Sequence, residues 1–137
     1  NALRERGIKT CVHLIVGLPG EDRDMILKSA LTVARLHPHS IKLHLLHILK
    51  GTVMAEQYAR GEFDVLSRDE YVNLIVDILE LIPEDIVIQR LTGDGGRDSL
   101  IAPLWSLKKF VVLNEIDKEM VRRDCYQGDK YSEIQKF

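Results

Sequence analysis

No apolar run in the 137 residues approaches the twenty or so that a membrane-spanning helix needs, and no basic-then-apolar leader opens the sequence. A cytoplasmic protein is therefore expected. Cysteine is scarce: Cys11 and Cys125 are the only two, too few for a disulfide framework and without the spacing of a metal motif. Both are expected to be reduced, and neither reads as a nucleophile. A dominant charge is missing too, since 19 Lys and Arg stand against 21 Asp and Glu, which removes any whole-chain argument for nucleic acid or membrane surfaces. Catalytic triad, Walker loop, clustered zinc ligands, paired carboxylates, internal repeats and low-complexity tracts are all absent. What is present, 45% hydrophobic and 29% charged residues, is the balance of one globular unit that buries a core.

The apolar pattern alternates between strand and helix signals. Residues 3–6 are short, charged and closed by Gly7, as the last turn of a helix would be. Cys11, Val12, His13, Leu14, Ile15 and Val16 are β-branched or apolar on both faces and stop at Gly17, which predicts a buried parallel strand. Residues 22–36 carry apolar groups at helical spacing up to Pro38. A second strand is expected over 41–49, a short helix over Val53–Ala59, and a longer helix opened by the capping box Ser67-Arg68-Asp69-Glu70 with Tyr71, Leu74, Ile75, Ile78 and Leu79 inward. A third strand over 86–90 precedes the glycine-rich loop Thr92-Gly93-Asp94-Gly95-Gly96. Helix is expected again over 104–123, broken at Asp117, with a polar and loosely held tail after Cys125. The order β-α-β-α-α-β-α is that of βαβ crossovers and a parallel sheet.

In such folds ligands gather at the carboxyl ends of the strands. Three glycine-containing loops qualify: Gly17-Leu18-Pro19-Gly20-Glu21, His47-Ile48-Leu49-Lys50-Gly51-Thr52 and Arg90-Leu91-Thr92-Gly93-Asp94. Period-2 alternation assigns the aliphatic sides (Val12, Leu14, Val16; Ile41, Leu43, Leu45) to helix packing. The sides bearing His13, Lys42 and His44 then face the interior of a barrel or cleft. Alternation also sends His44 and His47 to opposite faces, and His44 is the better interior candidate. Each feature also has an ordinary reading. The histidines can be satisfied structural groups, the glycine turns punctuation, Trp105 a core aromatic, and the pairs Lys108-Lys109 and Arg122-Arg123 solvated helix faces.

In order and spacing, these loops resemble successive motifs of radical S-adenosylmethionine enzymes. The run from Val12 to Glu21 is similar to the superfamily's fifth-strand motif, and the resemblance implies that Ile15 and Gly17, with Leu18 beside them, lie against the cofactor's adenine. The run from Ile41 to Thr52 resembles the sixth strand and its Gly-Thr ending, implying adenine contacts at Leu46 and His47. Similarity to the YhcC-type branch, related to the radical module of elongator and to the coproporphyrinogen dehydrogenase group, continues through Arg90-Leu91-Thr92-Gly93-Asp94, Trp105-Ser106, Lys109 and Gln127-Gly128. The implied fold is α/β, the C-terminal portion of a partial (β/α)6 TIM-like barrel with parallel strands and crossover helices. Residues 3–102 would be its last β/α units, 103–137 a helical C-terminal extension, and 1–2 a tag remnant. His13, His44, Arg90 and Asp94 are the implied substrate candidates.

The defining Cys-x3-Cys-x2-Cys motif, which holds a [4Fe–4S] cluster in such enzymes, is not in this sequence. The expectation is a segment cut from a longer enzyme. The parent would cleave S-adenosylmethionine to a 5′-deoxyadenosyl radical that abstracts hydrogen from an unnamed substrate. The segment alone would retain neither cofactor and no activity. Its partner would be the missing N-terminal half, with self-association through an open sheet edge as a substitute. The rival expectation is a non-catalytic α/β module that binds a nucleotide or a protein.

Overall fold

The computed structural model describes residues 2–134, so Asn1 of the expected remnant and residues 135–137 of the expected extension lie outside the described residues. A first short helix, α1 (Ala2–Glu5), leads into β1 (Cys11–Val16). The helix α2 (Arg23–Leu36) starts where the Asp22 carboxylate accepts a hydrogen bond from the Met25 N–H at 2.8 Å. It ends at His37, which takes the left-handed conformation (φ 52°) before Pro38. β2 (Ser40–Leu45), β3 (Ile48–Leu49) and α3 (Val53–Ala59) follow, the last capped by Thr52.

The expected capping box opens α4 (Arg68–Leu81): the Glu70 N–H donates to Ser67 Oγ at 3.2 Å, and the Ser67 N–H donates to Glu70 Oε2 at 2.8 Å. Those bonds from Ser67 hold the Glu70 carboxyl below its ordinary range. The remaining elements are β4 (Val87–Arg90), β5 (Leu100–Ala102), a 3₁₀ turn (Leu104–Leu107), α5 (Lys109–Arg123) and α6 (Tyr131–Ile134).

β1, β2 and β4 form a parallel three-stranded sheet in that spatial order. The helices α2 and α4 cover one face, where Val16, Ile41, Leu43 and Leu45 meet Ile26, Ala30, Tyr71, Ile75 and Ile78 in the main core. α5 packs outside α4 through Val112 and Ile116. The opposite face, with Cys11, His13 and Ile15 exposed and Lys42 and His44 half-buried, is uncovered. Sequence alternation had assigned both faces in this way, because the polar positions of β1 and β2 all fall on one side, which Ile15 shares. Among the described residues no helix is long and apolar enough to cross a membrane.

Four expectations need correction. The second strand stops at Leu45 rather than running to residue 49; Ile48 and Leu49 pair antiparallel with β5 in a separate ribbon over Leu46, Ala55 and Ala102. The C-terminal helix breaks at Lys108, whose backbone is non-helical (φ −94°, ψ 62°), and runs unbroken through Asp117, because Ile116 and Met120 continue its core-facing stripe. Arg123 is no solvated residue: its side chain is 18% exposed and bonds to Asp77, Glu80, Glu119 and Asn73. The segment after Cys125 is anchored, with Gln127 Nε2 donating to the carbonyls of Pro83 and Ile86 and the Gly128 N–H to that of Leu79.

Candidate functional site

The site candidates gather at the carboxyl ends of the parallel strands and on the uncovered face below them. After β1 the chain turns at Gly17 (φ 88°), a conformation that only glycine adopts without strain. A Cβ there would also come within 3.0 Å of Leu66 Cδ1. Leu66 is held from behind: its carbonyl accepts from Trp105 Nε1 at 3.0 Å, and Trp105 lies 5.4 Å from the Tyr71 ring, whose hydroxyl donates to the Leu91 carbonyl at 2.8 Å. Trp105 is thus a core aromatic that supports the loop. The turn closes on itself, the Leu18 N–H donating to Glu21 Oε2 at 3.2 Å and the Glu21 N–H to the Leu18 carbonyl at 3.0 Å. Ile15, 49% exposed, and Leu18, 38% exposed, present apolar surface beside this glycine.

Parallel pairing sets Ile15 opposite His44 and His13 opposite Lys42. The His13 and His44 rings stack at 5.0 Å between centroids, with His44 Nε2 3.1 Å from His13 Nδ1. One of the two nitrogens must carry the proton for that bond to exist. Leu46 is buried in the small ribbon cluster, and its N–H extends the ladder by donating to the Val16 carbonyl at 3.0 Å. The regular strand ends before His47, so alternation does not govern its direction. Its ring instead tucks under the glycine loop, where a Cβ on Gly93 would stand 2.8 Å from His47 Cε1 and one on Gly95 3.2 Å away. His47 Nε2 and Thr92 Oγ1 are buried without a hydrogen-bond partner among the described residues.

At the rim Asp94 accepts from Lys109 Nζ at 2.8 Å and pairs with Arg90 at 3.3 Å. The Lys109 bond, with further help from Arg90 and His47, holds the Asp94 carboxyl below its usual range. The glycine loop therefore has a packing partner and a charge partner that its composition did not disclose.

Burial lowers the His44 pKa, and the positive charge of His13, Arg90, Lys42 and His47 lowers it further. Burial also lowers that of His47, with Asp94 opposing. A depressed histidine pKa means that the unfolded chain takes up protons the folded chain refuses. Stability from these groups is full above the unfolded value of 6.5 and is lost as the pH falls through the lower folded values. Urea midpoints are accordingly expected to drop between about pH 7.5 and 5, and to drop less in a His44→Asn variant. An equal slope in that variant would contradict the assignment.

An exposed isoleucine and leucine on either side of the Gly17 turn fit a flat apolar ring such as adenine. The same residues do not fit an iron–sulfur cluster. Cys11 is exposed on β1 and Cys125 lies beyond α5, and among the described residues no group of three or more His, Cys, Asp or Glu is arranged to hold a metal.

A family model described as the radical SAM C-terminal domain matches residues 38–122. The uncharacterized protein YtqA of Bacillus subtilis is 47% identical over 135 residues, covering 98% of this chain and 42% of YtqA. Protein YhcC of Escherichia coli K12 is 34% identical over 115 residues, covering 84% of this chain and 37% of YhcC. Roughly two fifths of the length of these relatives is thus spanned. Among solved structures, Elp3 of the archaeon Methanocaldococcus infernus, lacking residues 1–46, superposes with a TM-score of 0.67 at 22% identity, over 85% of this chain and 28% of that one. That likeness shows the fold, the parallel strands and crossover helices of a partial radical SAM barrel. The chain belongs to the radical SAM C-terminal domain family, in the branch that includes YhcC and YtqA.

Proposed function

We propose that this chain is the C-terminal part of a radical SAM iron–sulfur enzyme and forms the adenine-binding wall and the substrate side of its barrel. The observation that carries the reading is the exposed apolar ledge of Ile15 and Leu18 around the Gly17 turn at the carboxyl end of β1. When bound by the whole protein, S-adenosylmethionine and a [4Fe–4S] cluster would supply one-electron reductive chemistry that ends in hydrogen abstraction from a substrate.

This chain's residues orient and shield. Ile15 and Leu18 cover the adenine face, the Gly17 turn carries the chain between them, and Leu46 and His47 close the adjoining strand end. His13, His44, Arg90 and Asp94 lie where a substrate enters. The cluster cysteines come from the other half of the polypeptide, which also pairs with the free edge of β1 and covers the open face.

An Ile15→Asp variant of the full-length protein sets a carboxylate against the adenine face and is expected to weaken S-adenosylmethionine binding at least about tenfold, with unchanged iron content, in equilibrium dialysis. Undiminished affinity in a folded, iron-loaded variant would refute the adenine assignment.

A further inference from the structure

We propose that His13, Lys42 and Arg90, in line across the uncovered face with His44 one step above, form a binding site for an oxyanion group, phosphate or carboxylate, of a ligand inside the barrel. The inference deepens the proposed function, because it rests on that face being an inner one. Strand register supplies the line: His13 pairs with Lys42 across β1 and β2, and Lys42 with Arg90 across β2 and β4, where the register shifts after the Ile41–Ile88 pair and leaves Gln89 as the extra residue. Side chains paired in this way stand beside one another, and like charges so placed repel. Among the described residues only Asp94, beside Arg90, sets a negative charge near this row.

Lys42 makes no ion pair among the described residues. The carboxylate nearest to Arg90, that of Asp94 at 3.3 Å, is already shared with Lys109 at 2.8 Å. Other residues of the face, Cys11, Ile15, Ser40 and Gln89, bring no negative charge, and Gln89 is occupied with Ser40 Oγ at 2.8 Å. The hydrogen-bonded His13 and His44 add ring N–H donors beside the two fixed cations.

A packing role does not explain the row, since the helix-facing positions of β1 and β2 are aliphatic and supply the core contacts, Leu43 and Ile41 fully buried and Leu14 partly so. An oxyanion would neutralise the line and accept from all its donors, in the way Arg and Lys hold phosphate or carboxylate. The row lies at the level of His13, below that of Ile15 and Gly17 along β1. An adenine on the ledge and an oxyanion on the row would therefore occupy successive levels.

Calorimetric titration of the full-length protein with inorganic pyrophosphate and, separately, with S-adenosylmethionine tests this. The double variant Lys42→Met/Arg90→Met is expected to weaken pyrophosphate binding at least about tenfold, while Lys28→Met, on the outer surface of α2, leaves it unchanged. Thermal unfolding of Lys42→Met should begin no lower than that of the parent, because a repulsion has been removed. If the double variant loses S-adenosylmethionine instead, the oxyanion is the cofactor's carboxylate; if it loses pyrophosphate, the group belongs to a phosphorylated ligand. Both ligands binding the double variant as they bind the parent, or pyrophosphate failing to bind the parent while S-adenosylmethionine binding survives in the variant, would overturn the proposal. The Ile15→Asp result is independent: if that variant binds pyrophosphate through the row and also keeps the parent's cofactor affinity, the adenine wall is lost and the row stands.

Discussion

Replacing Arg123 with methionine is expected to lower the unfolding free energy by about 3 kcal/mol, the cost of breaking a largely buried ion pair from one side. Its guanidinium reaches Asp77 at 2.7 Å, Glu80 at 3.0 Å and Glu119 at 2.8 Å, and Nη2 adds Asn73 Oδ1 at 2.9 Å. The Glu80 side chain is only 2% exposed, so once stripped of this partner it cannot turn to water. Lys130 still pairs with Glu80, and Arg23 with Asp77 at 3.0 Å, which keeps the loss from being larger.

The pH dependence gives a second check. Hydrogen bonds from Arg122 and Arg123 hold the Glu119 carboxyl at about 2. Its contribution is present above the ordinary glutamate value and is lost as the pH falls through the folded one, so parent and variant should converge in strong acid. Urea denaturation at neutral pH, low salt and then low pH measures both effects. A neutral-pH loss under about 1 kcal/mol would mean that the network behaves as solvated surface pairs do.

The second large effect concerns the loop above the candidate site. Gly93→Ala is expected to cost about 1–3 kcal/mol through overpacking, because the new methyl would stand 2.8 Å from His47 Cε1 and 3.4 Å from Nε2. The ring has Gly95 on its other contact, at 3.2 Å for an added Cβ, and little room to retreat. Cofactor affinity of the full-length protein should fall with stability if His47 closes the adenine site.

Truncating the ring supplies the control. In His47→Ala/Gly93→Ala the clash partner is gone, so the double variant should be more stable than the sum of the single changes implies, with a coupling of about 1 kcal/mol or more. Additive losses would show that the loop, rather than the contact, is what alanine disturbs.

Residues whose neighbours lie close in sequence or repeat with a clear period disclosed their surroundings in advance. Asp22, Ser67 and Glu70 marked helix starts because a cap needs only the next three residues. His13, Lys42 and His44 were assigned to one face because the other face of each strand is wholly aliphatic. The β3–β5 ribbon was invisible for the opposite reason. Strands of two and three residues carry no period, and Ile48 meets Ala102 only through a distant stretch of chain.

Arg123 looked like half of a surface pair because its carboxylates Asp77 and Glu80 sit on another helix. The glycines at 93 and 95 looked like flexible punctuation, whereas the structure uses their missing side chains as space for an imidazole. The residues that resemblance assigned to adenine and substrate were not of one physical kind either. Ile15 and Leu18 are exposed, Leu46 is buried, and His47 is wedged beneath a loop.

The proposal that this chain completes a radical SAM active site within a longer polypeptide is tested by anaerobic reconstitution of the full-length protein with iron and sulfide, followed by reduction in the presence of S-adenosylmethionine. Formation of an iron–sulfur chromophore together with release of 5′-deoxyadenosine and methionine is the predicted result; a folded full-length protein that yields neither would contradict it.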